Sequence, residues 1–253
     1  MGQYYTPVLT QDDKTILFNN RTALQTEEEK KAYEQNSYSK YHGLKILEHS
    51  WWENTLVKGV IGRLYNKVGR LAWVGDYTGT EYVVSNDGTK APLTSIELYS
   101  RNLYKRNADG SFFRNERGYR EEIENSKLPK GVRRVNLVRY KQKFTLDNKL
   151  IINLTRKEIL DCDTYFKRSK MSDGWCINPL PLLTSTGGDS GGGDYHSNYI
   201  DAEQVGRWAY DEIIIKDNTP KNLADFLNKG FILLNVTFSE EIENTKTLSK
   251  LTI

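Results

Sequence analysis

Sulfur is scarce in this chain, and so are apolar runs. Cys162 and Cys176 are its only cysteines among 253 residues. Two thiols so separated exclude a disulfide framework and a zinc-ligand set, and predict buried free thiols in a reducing compartment. No stretch approaches the ~20 apolar residues of a membrane-spanning helix. The first residues, MGQYYTPVLTQDD, carry neither a basic patch nor a long apolar segment, so no secretory leader is expected. These absences predict a cytoplasmic protein without a membrane partner.

Tyrosine and tryptophan are plentiful instead, at sixteen and five residues against two methionines. That bias predicts a strand-rich protein whose aromatics straddle core and surface. The expected fold class is α+β, with a mixed or mainly antiparallel sheet, two or three helices and a basic insertion. Three regions follow: an α+β half over 1–77, a basic insertion or subdomain over 78–149, and a second α+β half over 150–253. The first and last are expected to form one compact unit.

Local patterns place the elements. Gln3 to Leu9 and Thr15 to Phe18 are β-rich and flank Asp12-Asp13, which predicts a hairpin. Thr22 to Glu34 reads as a charged helix with Thr26 and Glu29 as a capping box. Gly43 to His49 reads as a short strand. Leu56, Val57, Val60, Ile61 and Leu64 recur at helical spacing within Asn54 to Tyr65. Leu71 to Val74, Leu150 to Leu154 and Ile213 to Ile215 are compact buried strands. Thr155 to Asp161 is short and charged, and Pro179 with Pro181 forbid a central strand there. Thr219 and Pro220 open a helix that Gly230 stops, and Phe231 to Phe238 is expected as a final strand. An echo joins the halves: an apolar strand ending in Asn (Ile16 to Asn19, Leu150 to Asn153), a Gly-headed strand (Gly43, Gly174), then a Gly/Trp/Asp cluster. It is compatible with an ancient duplication and with coincidence.

One stretch fits no packed element. Five of the nineteen glycines fall between Gly187 and Gly193, flanked by Asp189 and Asp194 and followed by His196, Trp208 and Asp211. Glycine forfeits backbone entropy and packs no side chain, so such a run belongs where backbone turns sharply or approaches a ligand. Asp189, Gly192, Gly193, Asp194, His196, Trp208 and Asp211 are therefore the candidate ligand-binding residues. Asp189, Asp194 and Asp211 offer hard oxygens for a divalent cation, although their spacing is not that of an EF-hand. Gly188 to Gly192 spell GDSGG, the nucleophile motif of chymotrypsin-like serine proteases, with Ser190 as nucleophile and His49 and Asp76 in permissive order. Against that reading, neither His49 nor His42 has the small-residue context of that base. The bland alternative has the glycines making turns while the aspartates cap neighbouring N–H groups. Trp208 by the same weighing packs against strands.

The 78–149 region carries 15 basic and 9 acidic residues, a net +6 in a chain of net +3. Lys130 to Lys143 contains six basic residues and no acid, among them Arg133, Arg134 and Arg139. Interleaved with tyrosine and phenylalanine, such cations suit single-stranded nucleic acid; a solvated charged hairpin is the alternative.

MGQYY, GLKILE, WVGDY, NPLPLLT, GGGDY and VGRWAYD together resemble an uncharacterised family of bacterial and phage proteins. The likeness covers both ends and little of the basic middle. Shorter relatives read closer to NGRGGGD in the loop, so Gly191 to Asp194 match while Asp189 and Ser190 do not. The resemblance implies a bacterial or phage source and no particular activity. The expectation is a binding or interaction protein using the Gly/Asp loop, with a protein or nucleic-acid partner. A serine or metal-dependent hydrolase and a single-stranded nucleic-acid binder are the alternatives.

Overall fold

The structure, a computed structural model, describes residues 5–12, 14–19, 55–75, 80–84, 90–94, 107–109, 116, 132–136, 144–169, 176–185, 204–236 and 238. The helix expected over Thr22 to Glu34 and the strand over Gly43 to His49 lie outside them.

The fold is α+β, and among the described residues it is built around a mixed sheet of eight strands. In chain order these are β1 (Tyr5–Gln11), β2 (Lys14–Asn19), β3 (Gly69–Gly75), β6 (Val132–Asn136), β7 (Lys149–Asn153), β8 (Glu158–Asp161), β9 (Glu212–Asp217) and β10 (Ile232–Leu233). They lie side by side in the order β10-β8-β7-β9-β3-β1-β2-β6. The interior pairings are antiparallel, and both edge pairings, β10 with β8 and β2 with β6, are parallel. β4 (Thr80–Val84) and β5 (Lys90–Thr94) form a separate antiparallel pair. The strand within the basic stretch thus pairs with β2, setting Arg133 opposite Ile16 and Arg134 opposite Leu17.

Four helices are present among the described residues: α1 (Thr55–Leu64), α2 (Cys162–Ser169), α3 (Pro179–Thr184) and α4 (Pro220–Leu227). None is long and apolar enough to cross a membrane. α1 buries the five apolar positions that its period predicts, each stabilising by roughly 2 kcal/mol on transfer from water. Their partners are Tyr5, Leu9, Ile16, Leu71, Trp73, Ile151, Leu160, Ile213 and Ile215 on one face of the sheet, joined by α2, α3 and Trp208. The opposite face offers Leu150, Ile152, Ile159 and Ile214, over which Leu223 and Phe226 of α4 pack. Because helices cover both faces, Ile213-Ile214-Ile215 is apolar without alternation.

One expectation needs correction. The strand over Phe231 to Phe238 contracts to Ile232–Leu233, since β10 pairs with β8 at two positions only. The charged stretch 155–161 closes a β7–β8 hairpin and continues into α2. Lys157 takes a left-handed φ of 56°, and the Asp161 carboxylate accepts from the N–H groups of Asp163 and Thr164, both at 3.0 Å. That cap satisfies two orphan donors of a short charged helix, CDTYFKRS, which buries Cys162, Tyr165 and Ser169.

Candidate functional site

Residues 186–203 lie outside the described residues, and with them Asp189, Ser190, Gly192, Gly193, Asp194 and His196; so do His49, Asp76 and Arg139. The two stems that carry the stretch are described, together with Trp208 and Asp211.

The first stem is α3 and Ser185. Asn178 is buried and caps the helix, its side-chain oxygen accepting from the Leu180 N–H at 3.0 Å. Pro179 fills the first helical position, where a missing N–H costs nothing. All six residues of α3 are buried, which explains a proline-containing run so apolar. The Thr184 hydroxyl donates to the Leu180 carbonyl at 2.6 Å, and the Ser185 hydroxyl to the Leu182 carbonyl at 3.2 Å. Ser185 also forms a parallel backbone bridge with Trp73 of β3.

The second stem, Gln204 to Asp211, returns along the first. The Gly206 N–H donates to the Leu182 carbonyl at 2.9 Å, and that of Trp208 to the Leu183 carbonyl at 2.6 Å. The Tyr210 N–H then reaches the Leu71 carbonyl at 2.8 Å. Gly206 has φ +71°, and a Cβ built on it would stand 2.5 Å from the Ser185 carbonyl oxygen. Only glycine meets both conditions.

A buried carboxylate fixes the second stem from below. Glu158 of β8 is 4% exposed. It accepts from the Trp208 indole N–H at 2.6 Å, from the Arg207 Nε–H at 3.2 Å and from the Arg207 terminal N–H. Burial pushes the Glu158 carboxyl up; the hydrogen bonds from Arg207 and Trp208 and the Arg207 and Arg156 charges outweigh it, leaving its pKa below the ordinary glutamate value. Asp211 is held similarly, its Oδ2 accepting from Asn153 Nδ2 at 2.8 Å and from Arg156 Nε at 2.7 Å.

The ligand roles expected of Trp208 and Asp211 find no support in these contacts. Trp208 is 0% exposed and gives its one donor to Glu158, so its ring faces core rather than ligand. Asp211 is ion-paired to Arg156, which offsets the charge a divalent cation would draw on. Among the described residues no group of three His, Cys, Asp or Glu side chains could hold a metal ion. β6, with Arg133 and Arg134, stands three strands from β3, so those basic positions are not brought to the stems.

Sequence reasoning offers no role for Glu158 or Gln204, and reads Trp73 as packing against strands rather than stacking on a ligand. Glu158 had one signal, a single acid beside the apolar pair Ile159-Leu160. The Trp73 indole N–H and the Gln204 side-chain oxygen are both buried and without a hydrogen-bond partner. Each belongs to the foot of the glycine stretch: Trp73 bridges Ser185, and Gln204 opens the returning stem. Native interiors rarely leave such atoms unpaired, and bound water, ions or ligands are the usual partners.

The expectation of buried thiols holds. Ser169 Oγ lies 2.7 Å from Cys176 Sγ. Burial raises the Cys176 pKa to about 11 despite that contact, and raises Cys162 well above the ordinary thiol value. Neither thiol is a nucleophile at neutral pH. In intact protein at pH 7.5 (about one unit below the ordinary thiol value), iodoacetamide is expected to leave both unmodified. Mass spectrometry should find both alkylated once denaturant is added.

No family model, no curated protein and no solved structure matches this chain.

Proposed function

We propose that this is a binding protein of bacterial or phage origin that meets its ligand through the Gly/Asp stretch between Ser185 and Gln204. The observation that carries the reading is the contrast at its foot. The stems are tied to each other and to β3 and β8, yet a buried donor on Trp73 and a buried acceptor on Gln204 lack partners. Rigid stems beneath a glycine-rich segment lower the ordering cost of binding, and glycine amides with flanking carboxylates offer both hydrogen-bond signs. The ligand class is a small polar molecule with donors and acceptors, or an anion accompanied by a divalent cation.

The test is thermal unfolding of the wild-type chain and of Asp189→Ala/Asp194→Ala, each with Ca²⁺, Mg²⁺, Zn²⁺ and inorganic phosphate, singly and combined. A ligand at a hundred times its Kd adds about 2.7 kcal/mol, roughly 5 °C or more for a chain of this size. That rise is expected for wild type with at least one combination and should vanish in the double variant. An equal rise in both, or none in either, contradicts the reading. Fluorophosphonate labelling that disappears in Ser190→Ala would replace it with a serine hydrolase. Salt-sensitive retention on single-stranded DNA, lost on neutralising Arg133 and Arg134, would move the function to the basic stretch.

A further inference from the structure

We propose that the outer edge of β10 is a docking site for an extended segment of a partner protein, apolar with acidic residues interspersed, which adds to the sheet beside β10. Three observations converge there, and none involves the Gly/Asp stretch. First, β10 is the terminal strand of the sheet among the described residues, and the N–H groups of Ile232 and Leu234 point inward, to the carbonyls of Lys157 and Ile159. Strand alternation turns the N–H and carbonyl of Leu233 outward, as a template for another strand. Second, Ile232 and Leu233 are 61% and 53% exposed, and Leu227, which ends α4 before the turn into β10, is 41% exposed. Only Val68 joins them as a large exposed hydrophobic among the described residues. Natural edges are shielded by charge, proline or a bulge, and these two positions carry none.

Third, a cavity of about 210 Å³ opens beside the strand, between α2 and the chain from Leu233 to Phe238. Leu160, Tyr165, Leu233, Val236 and Phe238 give it apolar walls, and Arg168 stands among its polar ones. That volume admits one large side chain rather than a cofactor, which suits a peptide anchor. Asp161 also lines it, but its carboxylate accepts from Asp163, Thr164 and Asn218.

Charge selects the partner. Lys157 and Lys229 are exposed at the start of β10. A second copy pairing edge to edge would bring these cations together, whereas an acidic segment would meet them with opposite charge.

The probe is a set of acetylated eight-residue peptides alternating valine, leucine or phenylalanine with glutamate or threonine, read by fluorescence anisotropy. Glutamate-bearing members should bind best. Leu233→Pro removes the outward N–H while leaving both inward bonds, and proline is accepted on an edge. It should weaken binding by about tenfold or more, the loss of one main-chain hydrogen bond and its strand geometry. Ile232→Glu, which removes an apolar contact and repels a glutamate-bearing peptide, should do the same, with circular dichroism unchanged in both variants. Binding equal in both variants and wild type, or no peptide bound by wild type, overturns the proposal. So does a concentration-dependent dimer abolished by Leu233→Pro, which would make a second copy the occupant. Asp189→Ala/Asp194→Ala should bind these peptides as wild type does, which separates this edge from the loop.

Discussion

Glu158→Ala is expected to lower the unfolding free energy by about 3–5 kcal/mol, because it takes the buried carboxylate away from Arg207 and leaves a buried indole N–H without its acceptor. Urea denaturation at neutral pH measures it. Glu158→Gln keeps a neutral acceptor and should cost less. If one network is responsible, Glu158→Ala and Trp208→Phe will not add, and their coupling should reach about 1–3 kcal/mol. Acid should reproduce part of the loss. The folded-state pKa of Glu158 is depressed, so its stabilisation is fully present above the unfolded value of about 4.3 and is lost as pH falls through the lower folded value. In Glu158→Gln that component of the acid sensitivity should be missing.

Gly206→Ala is the second large effect, and Gly230→Ala is its control. Both glycines have positive φ, +71° and +79°, so alanine at either meets the same left-handed penalty, about 1 kcal/mol. At Gly230 nothing lies within 4 Å of the new methyl group. At Gly206 the methyl would stand 2.5 Å from the Ser185 carbonyl oxygen, and Ser185 is tied to Trp73 and Leu182 and has little room to give. The expected cost is therefore about 3 kcal/mol against about 1 at Gly230, with the difference measuring how tightly the stems are joined.

Legibility in the sequence followed periodicity and turn chemistry. The Tyr5–Gln11/Lys14–Asn19 hairpin, α1, β7, β9 and the Thr219-Pro220 start of α4 carry their signals locally. Thr219 does accept from the Asn222 N–H at 3.1 Å as a cap should. What depends on distant partners was not legible. Nothing near Glu158 in the chain announces Trp208, fifty residues on, as the donor that makes a buried acid tolerable there. Likewise, α2 follows β8 with no intervening loop and opens on a cap from Asp161, and β10 pairs with β8 at two positions only. Composition alone assigns the VGRWAYD segment to the site. Its glycine and tryptophan instead secure the returning stem, which is a reason for an unusual sequence that composition alone does not separate from ligand contact.

Amide hydrogen exchange read at Gly206, Trp208 and Tyr210 tests the locked stems most directly. Protection close to that of β9, unchanged in Asp189→Ala/Asp194→Ala, is the predicted result, since the bonds from these amides to Leu182, Leu183 and Leu71 are independent of those carboxylates. Exchange at these amides as fast as in an unstructured peptide would contradict it, and would leave the glycine stretch without a fixed base.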